Sequence, residues 1–338
     1  MSAATSLDLV GRTHLRVVSD SELRTLRACM RRHHYQYVQR RRPIEKHEAL
    51  RFGTLWHVGQ EAWWRVESPD PCARLEAGLV AMRSHEAKDE FSLVMAEELL
   101  VAYSARWATS PIRAVAVEVE FQMPLINPET NQPSRTFRRG GKIDVVAVDD
   151  SDGATVIIEH KTTAYDIEEG SPYLRRVRVL DTQVSTYMSG AKSLGYDPRR
   201  CVYDVVRKPT LRPLKATPEE SKKYTKAGFL YANQRETDES PEEYRARLRD
   251  DINARVDRYF ARVDIVRLES EEREHAYDVW QTTRLMREAE RNGFAPKNPD
   301  ACAQFGACPY LAVCEGLADI TDDTLFHTAS TAHEELSE

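Results

Sequence analysis

Glu159-His160-Lys161 sets a carboxylate and an ammonium two residues apart, so on a strand both side chains point to one face. The backbone carbonyl of His160 lies between them. Asp144, in Gly141-Lys142-Ile143-Asp144, stands 15 residues earlier, a separation that a hairpin closes by laying one strand beside the other. Two carboxylates and a lysine in one place are the parts needed to cleave a phosphodiester at neutral pH. Carboxylates hold a divalent cation, which polarises the phosphate and lowers the pKa of water, and a cation or base stands by the attacking water. The apolar run Val156-Ile157-Ile158 before Glu159 puts these charges at the end of a core strand. Ionised groups there cost free energy unless they are paired or bound to metal. Taken alone, Glu-x-Lys is common, and an ordinary solvent-facing pair is spelled the same way.

The surrounding elements must bring these residues together. Ser19 followed by Glu22 is a capping box, and Leu23, Leu26, Met30 and Tyr37 continue at helical spacing, which predicts a helix from 19 to about 41. Further helices are predicted from near Gly53 and over residues 72 to 108. Val115, Val117, Val119, Phe121 and Met123 then alternate with polar or small residues, the period of a half-buried strand. Strands at about Lys142 to Val148 and Thr155 to Lys161 complete a meander, with a turn at Asp150-Ser151-Asp152-Gly153. A helix over Tyr173 to Leu194, with Leu180, Val184, Tyr187 and Met188 on its apolar side, leads to a strand at Cys201 to Arg207. A helix from Ser240, a short strand at Val263 to Leu268 and a helix from Glu271 to Asn292 follow. Strand, strand, strand, helix, strand is an α/β arrangement.

In this order of elements and motifs the chain resembles the PD-(D/E)XK nucleases, in particular the RecB-like branch that includes CRISPR-associated adaptation nucleases and phage exonucleases. Gly53-Thr54-Leu55-Trp56-His57 resembles the branch's helical histidine motif, Gly141 to Asp144 its GxxD, Glu159 to Lys161 its D/ExK, and Gln183 to Tyr187 its QxxxY. The second carboxylate is Glu rather than Asp, and Ile143 stands where the superfamily name has Pro. The resemblance spans about residues 19 to 316. It implies a restriction-endonuclease-like core, a mixed central sheet flanked by helices, over 111–215, between helical segments at 1–110 and 216–316 joined by a metal cluster. It further implies that His57, Asp144, Glu159 and the His160 carbonyl bind Mg²⁺ or Mn²⁺, and that Lys161 positions or activates water. Gln183 and Tyr187, one helical turn apart, would face the site and contact DNA or hold the lysine; otherwise they are a core tyrosine and an incidental glutamine.

Cys302, Cys308 and Cys314 are evenly spaced near the carboxyl end, and Cys29 lies in the first predicted helix. This is similar to the iron-sulfur RecB-like nucleases, in which one early cysteine joins three late ones. The likeness implies a 4Fe-4S cluster, with zinc or four buried thiols as alternatives. Cys72 and Cys201 are expected in the core.

A formal net charge of -6 conceals an uneven distribution. Leu23 to Ile44 contains seven arginines and no acid, whereas the segment after Cys314 has seven acids and no Lys or Arg. The basic stretch, with Arg31 and Arg32 foremost, suits a polyanion, and a second basic run covers Ser171 to Lys215. The acidic end, 317–338, is expected to be a mobile tail. No run approaches the roughly 18 apolar residues of a membrane span, there is no secretory signal pattern, and GxxxxGK[ST] is absent, so a cytoplasmic protein without an ATP motor is expected. The expected function is metal-dependent DNA cleavage, as an exonuclease on single strands or free ends in recombination, repair or phage DNA processing. The alternatives are an iron-sulfur DNA-binding partner with slow or vestigial cleavage, in recombination or CRISPR spacer capture, and a zinc-stapled RNA nuclease.

Overall fold

Strand β4 (Pro133–Asp149) organises a six-stranded mixed sheet in the computed structural model, which describes residues 15–45, 48–68, 70–85, 89–303 and 306–336. One edge of β4 pairs along its length with antiparallel β3 (Ile112–Ile126). The other edge is shared. Antiparallel β5 (Ala154–Thr163) takes Val145 to Asp149, and parallel β1 (Arg16–Val18), which sequence periodicity did not predict, takes Phe137 to Arg139. Residues 140–144 lie between these two partners with no ladder on that edge. Beyond β5 come parallel β6 (Arg200–Arg207) and antiparallel β7 (Phe260–Ile265).

Helices cover both faces, as alternating apolar positions on central strands require. On one face, α3 (Glu48–Arg65), α4 (Pro71–Ser84), α5 (Glu90–Arg106) and α8 (Pro241–Ala254) pack Trp56, Trp63, Leu99, Tyr103 and Leu248 against Val145, Val156 and Ile158. On the other, α6 (Pro172–Leu180) and α7 (Thr182–Ser193) pack Leu174, Val184 and Met188 against Phe121, Ile143 and Ile157. This is the expected α/β, restriction-endonuclease-like arrangement.

Three local predictions differ from the structure. The helix expected over Tyr173 to Leu194 breaks at Asp181, whose extended backbone and carboxylate cap α7 by accepting the Gln183 N–H at 2.9 Å. Leu180 is therefore turned out and 68% exposed. In β3 a bulge between Ala114 and Ala116 breaks the expected alternation, and Val115 is exposed. The first helix is also interrupted: α1 (Asp20–Ala28) ends at Cys29, which is extended (φ −161°, ψ 114°), before α2 (Met30–His33) and a π-helical turn over His34–Val38.

The two chain ends meet. Strand β2 (Arg41–Pro43) pairs with β8 (Phe326–Thr328), so the segment expected to be a mobile tail adds a strand to the amino-terminal region. Arg40, Arg41 and Arg42 donate to the carbonyls of Ser330, Ile320 and Ala332 at 2.7–2.8 Å. Helix α9 (Glu269–Asn292) packs Val279 and Met286 against Leu23 and Leu26 of α1.

Candidate active site

The sheet divides at the predicted carboxylates. The β4–β5 ladder ends at Val145↔Ile158, and beyond it the His160 N–H donates to the Asp144 carboxylate at 2.7 Å instead of to a strand carbonyl. Glu159 remains in the parallel ladder with β6, opposite Tyr203. Its side chain is buried, one oxygen is in contact with the Lys161 ammonium, and the other, Oε2, is buried without a partner. An orphaned anionic oxygen away from water is costly and fits a cation.

Helix α3 delivers His57 to the same place, with Nδ1 3.9 Å from Asp144 Oδ2. Burial and the nearby Lys161 charge hold this imidazole below its ordinary range, leaving it in the neutral, ligating form. Burial drives Asp144 up to about 7 and Glu159 up to about 8 against the lowering influence of Lys161. Lys161 stays firmly protonated, because Glu159 and Asp144 outweigh its own burial. Bringing a divalent cation beside these carboxylates favours their charged forms.

Helix α7 faces the site through its predicted pair. Gln183 Nε2 donates to the Tyr187 hydroxyl at 2.8 Å. Burial raises the Tyr187 phenol well above its usual range, with the Glu159 and Asp144 charges adding to it. The close approach has a simple cause. A Cβ at Gly141 would fall 2.8 Å from the Phe121 ring, and one at Gly190 would fall 2.6 Å from it. Only glycine lets α7, β3 and β4 converge around that ring.

His160 divides its functions. Its amide holds Asp144, whereas its imidazole turns toward a buried network on the opposite face. Its Nδ1 is 3.7 Å from Asp204, which accepts from the Tyr103 hydroxyl at 2.6 Å and from Arg262 Nε at 3.1 Å. Burial holds the imidazole neutral.

Sequence periodicity missed Glu118. It lies on β3 opposite Asp144, because Val117↔Val145 and Val119↔Ile143 flank the two. Its φ of 55° is strained for a residue with a Cβ, and here the strand's alternation reverses: Val117 packs on one face of the sheet and Val119 on the other. Glu118 pairs with Lys142 at 2.7 Å, and its charge raises both Asp144 and His57. The available signal was its position across from GxxD, not its place in a two-residue period.

The four cysteines expected at a cluster converge on one region without completing a ligand set; among the described residues no group of three or more His, Cys, Asp or Glu is disposed to hold a metal, and neither the cysteines nor Asp144, Glu159 and His57 form a closed set as they stand. All are free thiols and half-buried. The Cys308 N–H donates to the Cys302 carbonyl at 2.8 Å, Cys302 Sγ lies 3.8 Å from the Asn298 carbonyl, and Asn298 donates to the Ala28 carbonyl next to Cys29 at 2.8 Å. Burial raises the Cys314 thiol, and Cys29 and Cys308 add to the shift. Cys201 is core, as expected, but Cys72 is exposed in the first turn of α4. Arg31 donates to the Ala295 carbonyl at 2.8 Å and Arg32 lies 3.5 Å from Gln36, so part of the predicted polyanion surface is engaged within the protein.

A mixed sheet that parts around a buried and a half-buried carboxylate, with a lysine on the second strand, defines a restriction-endonuclease-like α/β protein. The family model of the PD-(D/E)XK nuclease superfamily matches residues 17–315, and the chain belongs to that superfamily, whose members hydrolyse phosphodiesters with divalent metals. No curated protein matches the sequence. Among solved structures it is similar to the crystal structure of SSO0001, with 12% identity, 82% of this chain and 80% of that chain covered, and a TM-score of 0.34. That likeness is too slight to bear on function. No described helix is long and apolar enough to cross a membrane.

Proposed function

We propose that the chain is a metal-dependent DNA nuclease of the RecB-like branch, acting as an exonuclease on single strands or free ends in recombination, repair or phage DNA processing. The observation that carries this reading is the unpartnered Oε2 of Glu159, buried beside Asp144 and a protonated Lys161 where the sheet divides. Asp144, Glu159, His57 and the His160 carbonyl would hold Mg²⁺ or Mn²⁺, an imidazole among oxygens being compatible with Mn²⁺. The metal supplies Lewis acidity and a more acidic water. Lys161 orients that water and counters charge on the phosphate, the His160 N–H fixes the Asp144 carboxylate, and Gln183 with Tyr187 positions the DNA strand. Arg32, and Arg31 where its carbonyl partner permits, would contact the phosphate backbone.

By donor chemistry Cys29, Cys302, Cys308 and Cys314 would hold a 4Fe-4S cluster, with zinc as the alternative. The cluster would join the two ends of the chain in a structural role. Replacing Cys308 by Ala is expected to remove bound iron and lower solubility; full iron content in that variant excludes Cys308 as a ligand.

The direct test is cleavage of end-labelled single- and double-stranded DNA in Mg²⁺, Mn²⁺ or EDTA by anaerobically purified protein, with Asp144→Ala and Lys161→Ala beside it. Metal-dependent cleavage that both variants lack supports the assignment. Metal-loaded, folded protein that binds DNA without cutting it would instead favour a binding partner in recombination or CRISPR spacer capture.

A further inference from the structure

The segment after β6 forms a short hairpin that the catalytic arrangement does not use. Tyr224 bridges Leu230 in antiparallel fashion, the Thr225 N–H donates to the Phe229 carbonyl at 2.7 Å, and the Tyr231 N–H donates to the Lys223 carbonyl at 3.0 Å. Gly228, at φ +81°, makes the turn. This pairing puts Lys223, Phe229 and Tyr231 on one face, since residues two apart along a strand point the same way.

Phe229 is 73% exposed and Tyr231 45% exposed. Isolated apolar side chains at a surface require no explanation, but here two aromatic rings share a face with a lysine. From Ser221 to Asn233 there are three lysines and no acid. Lys222 is neutralised by Glu219 and Glu236 at 2.7 and 3.1 Å, whereas Lys223 and Lys226 have no acidic partner among the described residues. The hairpin is braced: Gln234 accepts from the Lys223 N–H at 2.6 Å and donates to the Ser221 carbonyl at 2.8 Å.

Its base is close to the catalytic strand. The Lys208 N–H donates to the Thr163 carbonyl at 2.7 Å, two residues beyond Lys161, and the Lys208 ammonium lies 4.8 Å from the ring centre of Phe52 on the helix that carries His57. The hairpin's stem closes at Leu214, where the Glu239 N–H donates to the Leu214 carbonyl at 2.8 Å. Six residues of chain reach no more than about 20 Å, so the stem begins within about 20 Å of Lys208, with the Leu211 and Arg212 carbonyls accepting from Tyr244 and Arg247 of α8.

We propose that this hairpin is a stacking platform for the single-stranded part of the DNA substrate, with bases on Phe229 and Tyr231 and phosphates at Lys223 and Lys226. The proposal rests on the nuclease reading above. Rings two residues apart on a strand are separated by about 7 Å, twice the ~3.4 Å spacing of stacked bases, so one base plane fits between them. Aromatic platforms beside lone cations bind single strands without reading sequence, because every base offers a π face. Duplex DNA, whose bases are already stacked, gains nothing from the rings.

The test measures anisotropy of a labelled oligothymidine and of a blunt duplex with the full chain in EDTA, comparing the parent with Phe229→Ala/Tyr231→Ala and Phe229→Trp/Tyr231→Trp. The alanine pair is expected to weaken single-strand binding by about tenfold for each ring removed, the tryptophan pair to retain it, and duplex binding and the thermal midpoint to stay unchanged. An alanine pair that binds oligothymidine as tightly as the parent overturns the platform while leaving the nuclease reading intact. Equal losses for single strand and duplex also overturn it, pointing to a general electrostatic surface. A parent that binds neither DNA in EDTA overturns the platform, whereas the nuclease reading stands or falls on the metal-dependent cleavage assay.

Discussion

At the scale of single residues, the site stores electrostatic cost that a cation can relieve. Asp144 and Glu159 are pushed up to about 7 and about 8 by burial. A carboxyl whose pKa is raised in the fold contributes stability below its unfolded value, and that stability is lost as pH rises through the folded value. The metal-free protein is therefore expected to lose thermal stability between about pH 4 and pH 8, and Mn²⁺ is expected to raise the melting temperature more at about pH 8 than at about pH 5.5. A metal shift that does not grow with pH would refute carboxylate ligation. Glu118 belongs to the same balance. Glu118→Gln is expected to weaken Mn²⁺ binding several-fold by titration calorimetry, because it removes a negative charge facing Asp144; unchanged affinity would show that Glu118 serves only Lys142.

At the scale of elements, glycines set how closely α7 approaches the divided sheet. Phe121 lies between Gly141 and Gly190, and a methyl group at either glycine would overlap its ring. Gly190→Ala is expected to cost about 1–3 kcal/mol in denaturant unfolding and to reduce cleavage by moving Gln183 and Tyr187. An unchanged midpoint with full activity would mean that α7 has room to shift. The break between α6 and α7 serves the same end. Arg267 is buried and donates to Ser185 Oγ at 2.9 Å and to the carbonyls of Arg178 and Asp181, so a side chain from beyond β7 ties the helix junction that periodicity read as continuous.

At the scale of the whole molecule, the carboxyl end returns to seal the amino end. Glu22 is buried and accepts from His33 at 2.8 Å, with His333 at 3.1 Å and Arg16 also against it. Burial opposes its ionisation, but these partners prevail and hold it at about 2. A depressed carboxyl contributes stability above its unfolded value of about 4.5, and that stability disappears as pH falls toward about 2. His333→Ala is therefore expected to move acid unfolding, followed by circular dichroism, to higher pH. An unaltered acid midpoint would show that His33 and Arg16 suffice.

Much of the site was legible before folding because its chemistry is written in short motifs. Glu159 and Lys161 are neighbours on one strand, Gln183 and Tyr187 are one helical turn apart, and the apolar run Val156-Ile157-Ile158 marked β5. The sequence by itself determined these local sets and the α/β order that carries them. Residues 140–144 lacking a ladder partner, the reversal of alternation at Glu118, the extended backbone at Cys29 and the return of β8 to β2 were decided only in the tertiary structure. The first depends on β1 and β5 dividing one edge of β4 and on Asp144 taking the His160 N–H, and the last on the carbonyls of Ile320, Ser330 and Ala332 taking Arg41, Arg40 and Arg42. Local periodicity records which face a residue prefers, but competition among distant partners for hydrogen bonds and burial decides which face it takes.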